Sequence, residues 1–293
     1  MSILTGNKTG YTLIKVKRVL VLLLFFCLSN NVFAGRGINS LPFSESFDSS
    51  TYAGDLLWVD GNLNASHSWT QSGWSGGAAQ FIPPIGQEGY SGLGAFNGIN
   101  DNGAQITRIN VRFLIYHSSG FIPGNSGVNK LVIVRRTGGA RPMLLSNYYP
   151  QGNSRYMSYG ACDGTDCAYQ GGGSWPDGTD QLRIGDGPTY RSREWISMEF
   201  EADLVAGTTK LYVYTTDGLL SGLYTQQVIP QGGVITDVDI IGGYFGNSAN
   251  FSTTTVNNYF MIDELVIDNS YIGPPAGFLQ NPPPSAPEVT DVR

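Results

Sequence analysis

Along this chain apolar residues alternate with polar ones, and no long run shows helical periodicity. In ITRINVRFLIYH, residues 106 to 117, Ile109, Val111, Phe113 and Ile115 share one face of an extended segment. Arg108, Asn110, Arg112, Leu114 and Tyr116 share the other. The first face belongs in a core, the second mostly near water. Similar runs predict strands at 56–60, 130–136, 142–149, 154–159, 194–204, 209–216, 234–246 and 258–268, with turn residues between them. Many strands with hairpin-length connections predict one large all-β domain between Leu41 and Phe278, a sandwich or a barrel.

The ends of the chain break this pattern. Lys15, Lys17 and Arg18 precede the apolar run VLVLLLFFCLS, which leads to Val32-Phe33-Ala34, so residues 1–34 read as a secretory signal peptide. That run is too short to span a bilayer comfortably, and no later segment approaches the roughly 20 apolar residues of a membrane helix. The expected product is a secreted chain, extracellular or periplasmic, with its folded domain at 35–275. Residues 276–293 are Pro-rich, with little to pack, and read as a tail or linker. Export makes oxidation the default, so Cys162 and Cys167, in C-D-G-T-D-C, are expected to form a local disulfide.

Charge changes the picture further. The formal net charge of the chain is −6, and residues 1–34 hold four cations and no acids, leaving 13 cations against 23 acids, or −10. Yet no Asp or Glu occurs from Gly103 through Cys162, a stretch that carries Arg108, Arg112, Lys130, Arg135, Arg136, Arg141 and Arg155. Such asymmetry speaks to partners and not to fold. Two readings stay open: the arginines pair with acids from elsewhere in the chain, or they attract a polyanion.

The order of LPFSESFD, VRFLIYHSSGF, GVNKLVIV, REWISMEFEADL, KLYVYTTDG and YFMIDELVIDNSYIGPP resembles secreted jelly rolls of the concanavalin A-like lectin/glucanase superfamily, most of all polysaccharide lyases. The resemblance covers about 235 residues. It implies a two-sheet antiparallel sandwich with a concave groove for an extended sugar chain. It also implies that the basic segment supplies neighbouring groove strands, with Arg112, Lys130 and Tyr116 on the floor. The arginine, Q-I/V-H and tyrosine motifs of the better-known alginate lyases are absent.

β-Elimination of a uronic-acid polymer needs a cation to neutralise the carboxylate, a base for the α-proton and an acid for the leaving oxygen. Candidates for the proton transfers are Lys130, His117, Tyr116 and Tyr244, with Arg108, Asn110, Arg112, Tyr149 and Arg155 as polysaccharide contacts. Parity places His117 on the core-facing side of its strand, which is also the reading of a structural histidine. A glycoside hydrolase is the alternative enzyme: Glu199, Glu201 and Asp203 alternate along EFEAD with neighbours about 7 Å apart. The laminarinase-like pattern E-x-D-x-x-E fails, however, because Ala206 stands in the last position, and the three carboxylates read as a solvated face. A non-catalytic carbohydrate-binding module is the third reading, with tryptophans such as Trp195 available for stacking.

No cofactor is required by any of these readings. Asp163, Asp166, Asp177 and Asp180, in two DGTD segments, are hard oxygen ligands that would suit a structural calcium ion, and Asp48 with Asp263 forms a second candidate pair. The expected partner is an acidic polysaccharide bound by a monomer. Export and the strand-rich scaffold argue against nucleic acid, and no membrane association is expected after signal removal.

Overall fold

The computed structural model describes residues 38–50, 57–58, 66–82, 92–118, 128–138, 141–149, 154–163, 166–170, 181–183, 189–191, 194–216, 220–227, 231–242 and 259–278. All fall within one compact unit, Gly35–Arg293. The expected signal peptide, residues 1–34, lies outside the described residues.

Sheet A contains β1 (Phe43–Glu45), β3 (Ser66–Thr70), β4 (Ala78–Ile82), β6 (Arg108–His117), β13 (Trp195–Asp203), β14 (Thr208–Thr215), β15 (Leu220–Gln227) and β17 (Phe260–Asp268). Its order is β15-β14-β13-β6-β17-β4-β3, with β1 also on β17. Sheet B contains β2 (Leu57–Trp58), β5 (Gly92–Asn97), β7 (Val128–Arg136), β8 (Arg141–Tyr149), β9 (Ser154–Asp163), β10 (Asp166–Gln170) and β16 (Ile235–Gly242). Its order is β10-β9-β8-β7-β16-β5-β2. A separate pair joins β11 (Gln181–Arg183) to β12 (Thr189–Arg191).

Strands distant in sequence are neighbours in space, as where β6 lies between β13 and β17 with antiparallel pairing on both sides. Ile109, Val111, Phe113 and Ile115 of β6 are all fully buried, as their alternation predicts. They join Met198, Phe200 and Ala202 of β13 and Ile262 and Ile267 of β17 in one cluster that also holds Val132, Val134, Leu144 and Val238 of sheet B. One core therefore lies between two antiparallel sheets, and the chain is an all-β jelly-roll sandwich, as the resemblance implies.

The other face of β6 departs from expectation. Asn110 and Leu114 are fully buried and Arg112 is 5% exposed, because chain continues from β17 back over sheet A. The segment Tyr271–Phe278 forms a strap over this face. Phe278 is fully buried in a second apolar cluster with Leu114, Tyr212 and Tyr214, its ring 5.1 Å from that of Trp74. Within the expected Pro-rich tail, Phe278 is therefore packed while Ala276 and Gly277 stay exposed, and the large ring of Phe278 supplies the reason. The remainder, 279–293, lies outside the described residues.

Removing that ring leaves a void that the strap's prolines and glycines cannot fill. Phe278→Ala should lower unfolding free energy by about 3–5 kcal/mol, read from urea denaturation. A change below about 1 kcal/mol would show that the strap is not anchored there.

Candidate functional site

Topology divides the basic segment between the two sheets. Arg108 and Arg112 lie on β6 in sheet A, whereas Lys130, Arg135, Arg136, Arg141 and Arg155 lie on β7, β8 and β9 in sheet B. The expectation that Arg112, Lys130 and Tyr116 line one floor is thus corrected. The chain crosses from one sheet to the other between β6 and β7 instead of forming a hairpin, so consecutive strands face different layers.

In sheet A the acids of β13 meet the cations of β6. Arg112 is paired in register with Glu199, Asn110 with Glu201 and Arg108 with Asp203. The fully buried Glu201 carboxylate lies 2.7 Å from Arg108 Nη2 and 2.9 Å from Lys210 Nζ, and the Tyr212 hydroxyl donates to it at 3.3 Å. The Asn110 amide donates to Glu199 Oε1 at 2.6 Å. Two strap amides complete this acceptor: Ile272 N–H donates to Oε1 at 2.9 Å and Gly273 N–H to Oε2 at 2.8 Å. Burial pushes the Glu199 carboxyl above its ordinary range, although these three hydrogen bonds pull it down. Burial likewise lowers the Arg112 guanidinium, opposed by the charges of Glu264, Glu199 and Asp263. Its Nε and Nη1 are buried without a hydrogen-bond partner.

Three expectations change as a result. Asn110 and Arg112 are not open contacts for a polysaccharide, because both are buried and the first is bonded to Glu199, whereas Arg108 stays 39% exposed at its side chain but is paired with Glu201. Glu199 and Glu201 are buried and not a solvated face: strap amides cap Glu199, and Arg108, Lys210 and Tyr212 hold Glu201. Nor do they form an open carboxylate pair for hydrolysis, because strap amides and basic side chains occupy their oxygens. Asp203 instead accepts the amides of Val205 and Ala206 at 2.9 and 2.8 Å and caps the turn after β13.

His117 and Tyr116 point to opposite faces of β6. His117 is 4% exposed and lies beside Phe260, with ring centroids 6.3 Å apart. Burial lowers its pKa to about 3, so it is neutral and core-bound, not a groove base. Tyr116 is on the outer face of sheet A, between the rings of Trp195 and Tyr259. Neither shares a sheet with Lys130.

Asp263 is committed as well. β17 carries an extra residue between Asp263 and Val266, with Glu264 at φ 50°. This bulge aims the Asp263 carboxylate at the loop before β4, where Trp74 N–H donates to Oδ2 at 2.7 Å and Glu264 N–H to Oδ1 at 2.7 Å. Gly73 is needed there because a Cβ would clash with the Gly77 carbonyl oxygen and meet Asp263 Oδ2 at 2.8 Å. Burial nevertheless raises the Asp263 pKa to about 6. Among the described residues no group of three His, Cys, Asp or Glu side chains is placed to hold a metal ion.

Sheet B keeps a different face. Arg135 donates through Nε and Nη2 to Asp239 Oδ2 of β16, at 2.9 and 2.6 Å, and Arg136 donates to the Gly232 carbonyl. Arg141 is exposed. Register sets Lys130 opposite Leu145, Tyr148 opposite Arg155, Tyr149 opposite Ser154 and Asn147 opposite Tyr156. Cys162 is directly opposite Cys167, and Asp163 opposite Asp166. The side chains of Lys130, Tyr149, Arg155, Cys162, Cys167, Asp163 and Asp166 lie outside the described residues, as do Asp177, Asp180 and Tyr244 altogether. The Arg135–Asp239 pair and the Glu199–strap contact were not foreseen. The doubled acids of TDVDI hinted at the first; nothing local pointed to the second.

No protein-family model matches the chain, and no curated protein matches it. Similar solved structures include the cellulose-induced protein Cip1, at 14% identity and TM-score 0.49, covering 80% of this chain and 100% of that one. They also include the alginate lyase vAL-1 from Chlorella virus, at 11% identity and TM-score 0.49, covering 79% and 100%. Winged bean acidic lectin aligns at 8% identity and TM-score 0.40, covering 77% and 97%. These likenesses concern the sandwich.

The buried histidine gives a pH signature. With its folded pKa near 3 against an ordinary 6.5, the unfolded chain binds a proton that the folded chain refuses. Its contribution is thus fully present above pH 6.5 and is lost as pH falls toward 3. Asp263 acts in the opposite sense: its folded pKa of about 6 against 3.8 adds stability as pH falls through that window. His117→Asn should raise the urea midpoint at pH 4 relative to pH 7 when compared with the unsubstituted protein. Parallel pH profiles for the two proteins would contradict the burial of a neutral His117.

Proposed function

We propose that this is an exported protein that binds an acidic, uronic-acid-containing polysaccharide across β7, β8 and β9 of sheet B. The observation that carries the reading is the position of the remaining cations. Lys130, Arg135, Arg136, Arg141 and Arg155 fall on three strands paired in succession, with no acid on them before Asp163. Of the segment's two cations on sheet A, Arg112 is buried and Arg108 is paired with Glu201. A chain of net charge −6 that keeps one acid-free stretch of this length concentrates positive charge there for a polyanion, even with Arg135 paired to Asp239 of β16. Tyr148, Tyr149, Tyr156 and Tyr159 on the same strands supply hydroxyls and rings of the kind that recognise sugars.

Cleavage by β-elimination is the second reading, favoured by the place of Lys130 on β7, the middle strand of the seven in sheet B. With His117 and Tyr116 on β6, proton transfer would fall to Lys130 and Tyr244. A calcium ion at the β9–β10 turn and a Cys162–Cys167 disulfide remain compatible with the register there, as shape-giving features of a loop.

Retention in affinity gels containing alginate, polygalacturonate or hyaluronan tests the reading, with ultraviolet absorbance of unsaturated uronate followed in parallel. Retention should weaken as salt rises. It should fall about tenfold, equivalent to 1.4 kcal/mol, in the double variant Arg141→Ala/Arg155→Ala. Absorbance that rises and is abolished by Lys130→Ala would add elimination. No retention on any of the three polymers at low salt would overturn the acidic-glycan reading.

A further inference from the structure

On the outer face of sheet A, beyond the strap, three aromatic rings from three neighbouring segments lie side by side. Trp195 of β13 is register partner of Tyr116 of β6, with ring centroids 5.5 Å apart. Tyr259, just before β17, stacks on Tyr116 at 6.4 Å and 15°. Each ring is only partly buried. The same row continues through Met261 to Gln80 of β4 and Ser68 of β3, whose hydroxyl donates to the Gln80 amide oxygen at 3.3 Å.

Cross-strand ring contacts stabilise a sheet by themselves. They do not require rings to remain partly open beside an amide and a hydroxyl. Trp195 also packs against the cluster that receives Phe278, so the aromatic row runs along this face from the strap at one end.

We infer that the row Trp195–Tyr116–Tyr259, with Gln80 at its end, is a second binding surface that stacks the pyranose rings of a neutral polysaccharide. A pyranose presents C–H faces to an aromatic ring and hydroxyls to an amide, matching the two kinds of group in the row. No charged side chain occurs among its described members, and the acids Asp263 and Glu264 lie farther along β17, so an acidic polymer is disfavoured here. A stable protein partner would bury roughly 800 Å² per side, far more than three rings offer. This surface lies on the opposite sheet from the cationic strands and has its own ligand class.

Affinity gels with laminarin, xyloglucan and galactomannan, run with the full protein, test the inference. Retention on at least one polymer is expected, unchanged by salt. It should weaken about tenfold or more in Trp195→Ala and in Tyr259→Ala, and persist in Tyr116→Phe, since stacking uses the ring and not its hydroxyl. The circular dichroism spectrum and melting temperature of each variant identify any that fail to fold, and the remaining variants then decide. Absence of retention on all three neutral polymers overturns the inference, whatever the acidic polymers show. So does retention unaffected by Trp195→Ala in a folded variant. Newly protease-sensitive residues 279–293 in that variant would assign the row to the chain's own Pro-rich segment and overturn it too.

Discussion

Glu199 is the constraint on which the rest of sheet A depends. A carboxylate on the outer side of a sheet is ordinarily hydrated, and this one is 1% exposed. It is tolerated because Asn110 and the amides of Ile272 and Gly273 replace its water. Two of those three donors belong to the strap, so seating the strap and burying the charge are one event. Gly273, at φ 76°, adopts a left-handed backbone that few other residues would tolerate at that point. With the strap in place, Phe278 closes the apolar cluster around Leu114, Tyr212 and Tyr214. Tyr271 then brings its hydroxyl to that of Tyr214, and its ring lies 4.9 Å from Tyr212.

Closure of that face decides what the cations do. Arg108 and Lys210 converge on the buried Glu201, an arrangement in which loss of either cation leaves an acid without full compensation. Charges spent on internal pairing have little field left for a ligand. On β7 and β8 the described cations differ: Arg135 is tied to Asp239 and Arg136 to the Gly232 carbonyl, whereas Arg141 is exposed, and the sequence of β7–β9 is free of acids until Asp163. One sheet thus uses its basic residues to build the fold. Under the proposed function, the other presents its basic residues to a polyanion that the rest of an acidic chain would repel.

Much of the architecture is legible in local alternation, and much of the site is not. VRFLIYH, EWISMEFEADL, TKLYVYTT and YFMIDELVID alternate clearly enough to place β6, β13, β14 and β17, and the inward residues of β6 follow from parity alone. AAQFI and GLGAFN became β4 and β5 without a readable pattern, because Gly and Ala carry little alternation and pairing with β16 and β17 selects their conformation. Sheet membership is the larger gap. Nothing within residues 108–136 tells whether β6 and β7 are neighbours or opposed, since that depends on pairing with strands about 80 to 160 residues later in the chain. The burial of Asn110, Arg112 and Glu199 was hidden for the same reason: their cover comes from residues 271–278.

The central claim is that the polyanion surface lies on β7–β9 and not on β6 and β13. Amide hydrogen exchange with and without a bound acidic polysaccharide tests it most directly. The account predicts added protection at residues 128–163, with no change at 108–117 or 195–203. Protection concentrated on 108–117 and 195–203 instead, accompanied by faster exchange in the strap at 271–278, would contradict it.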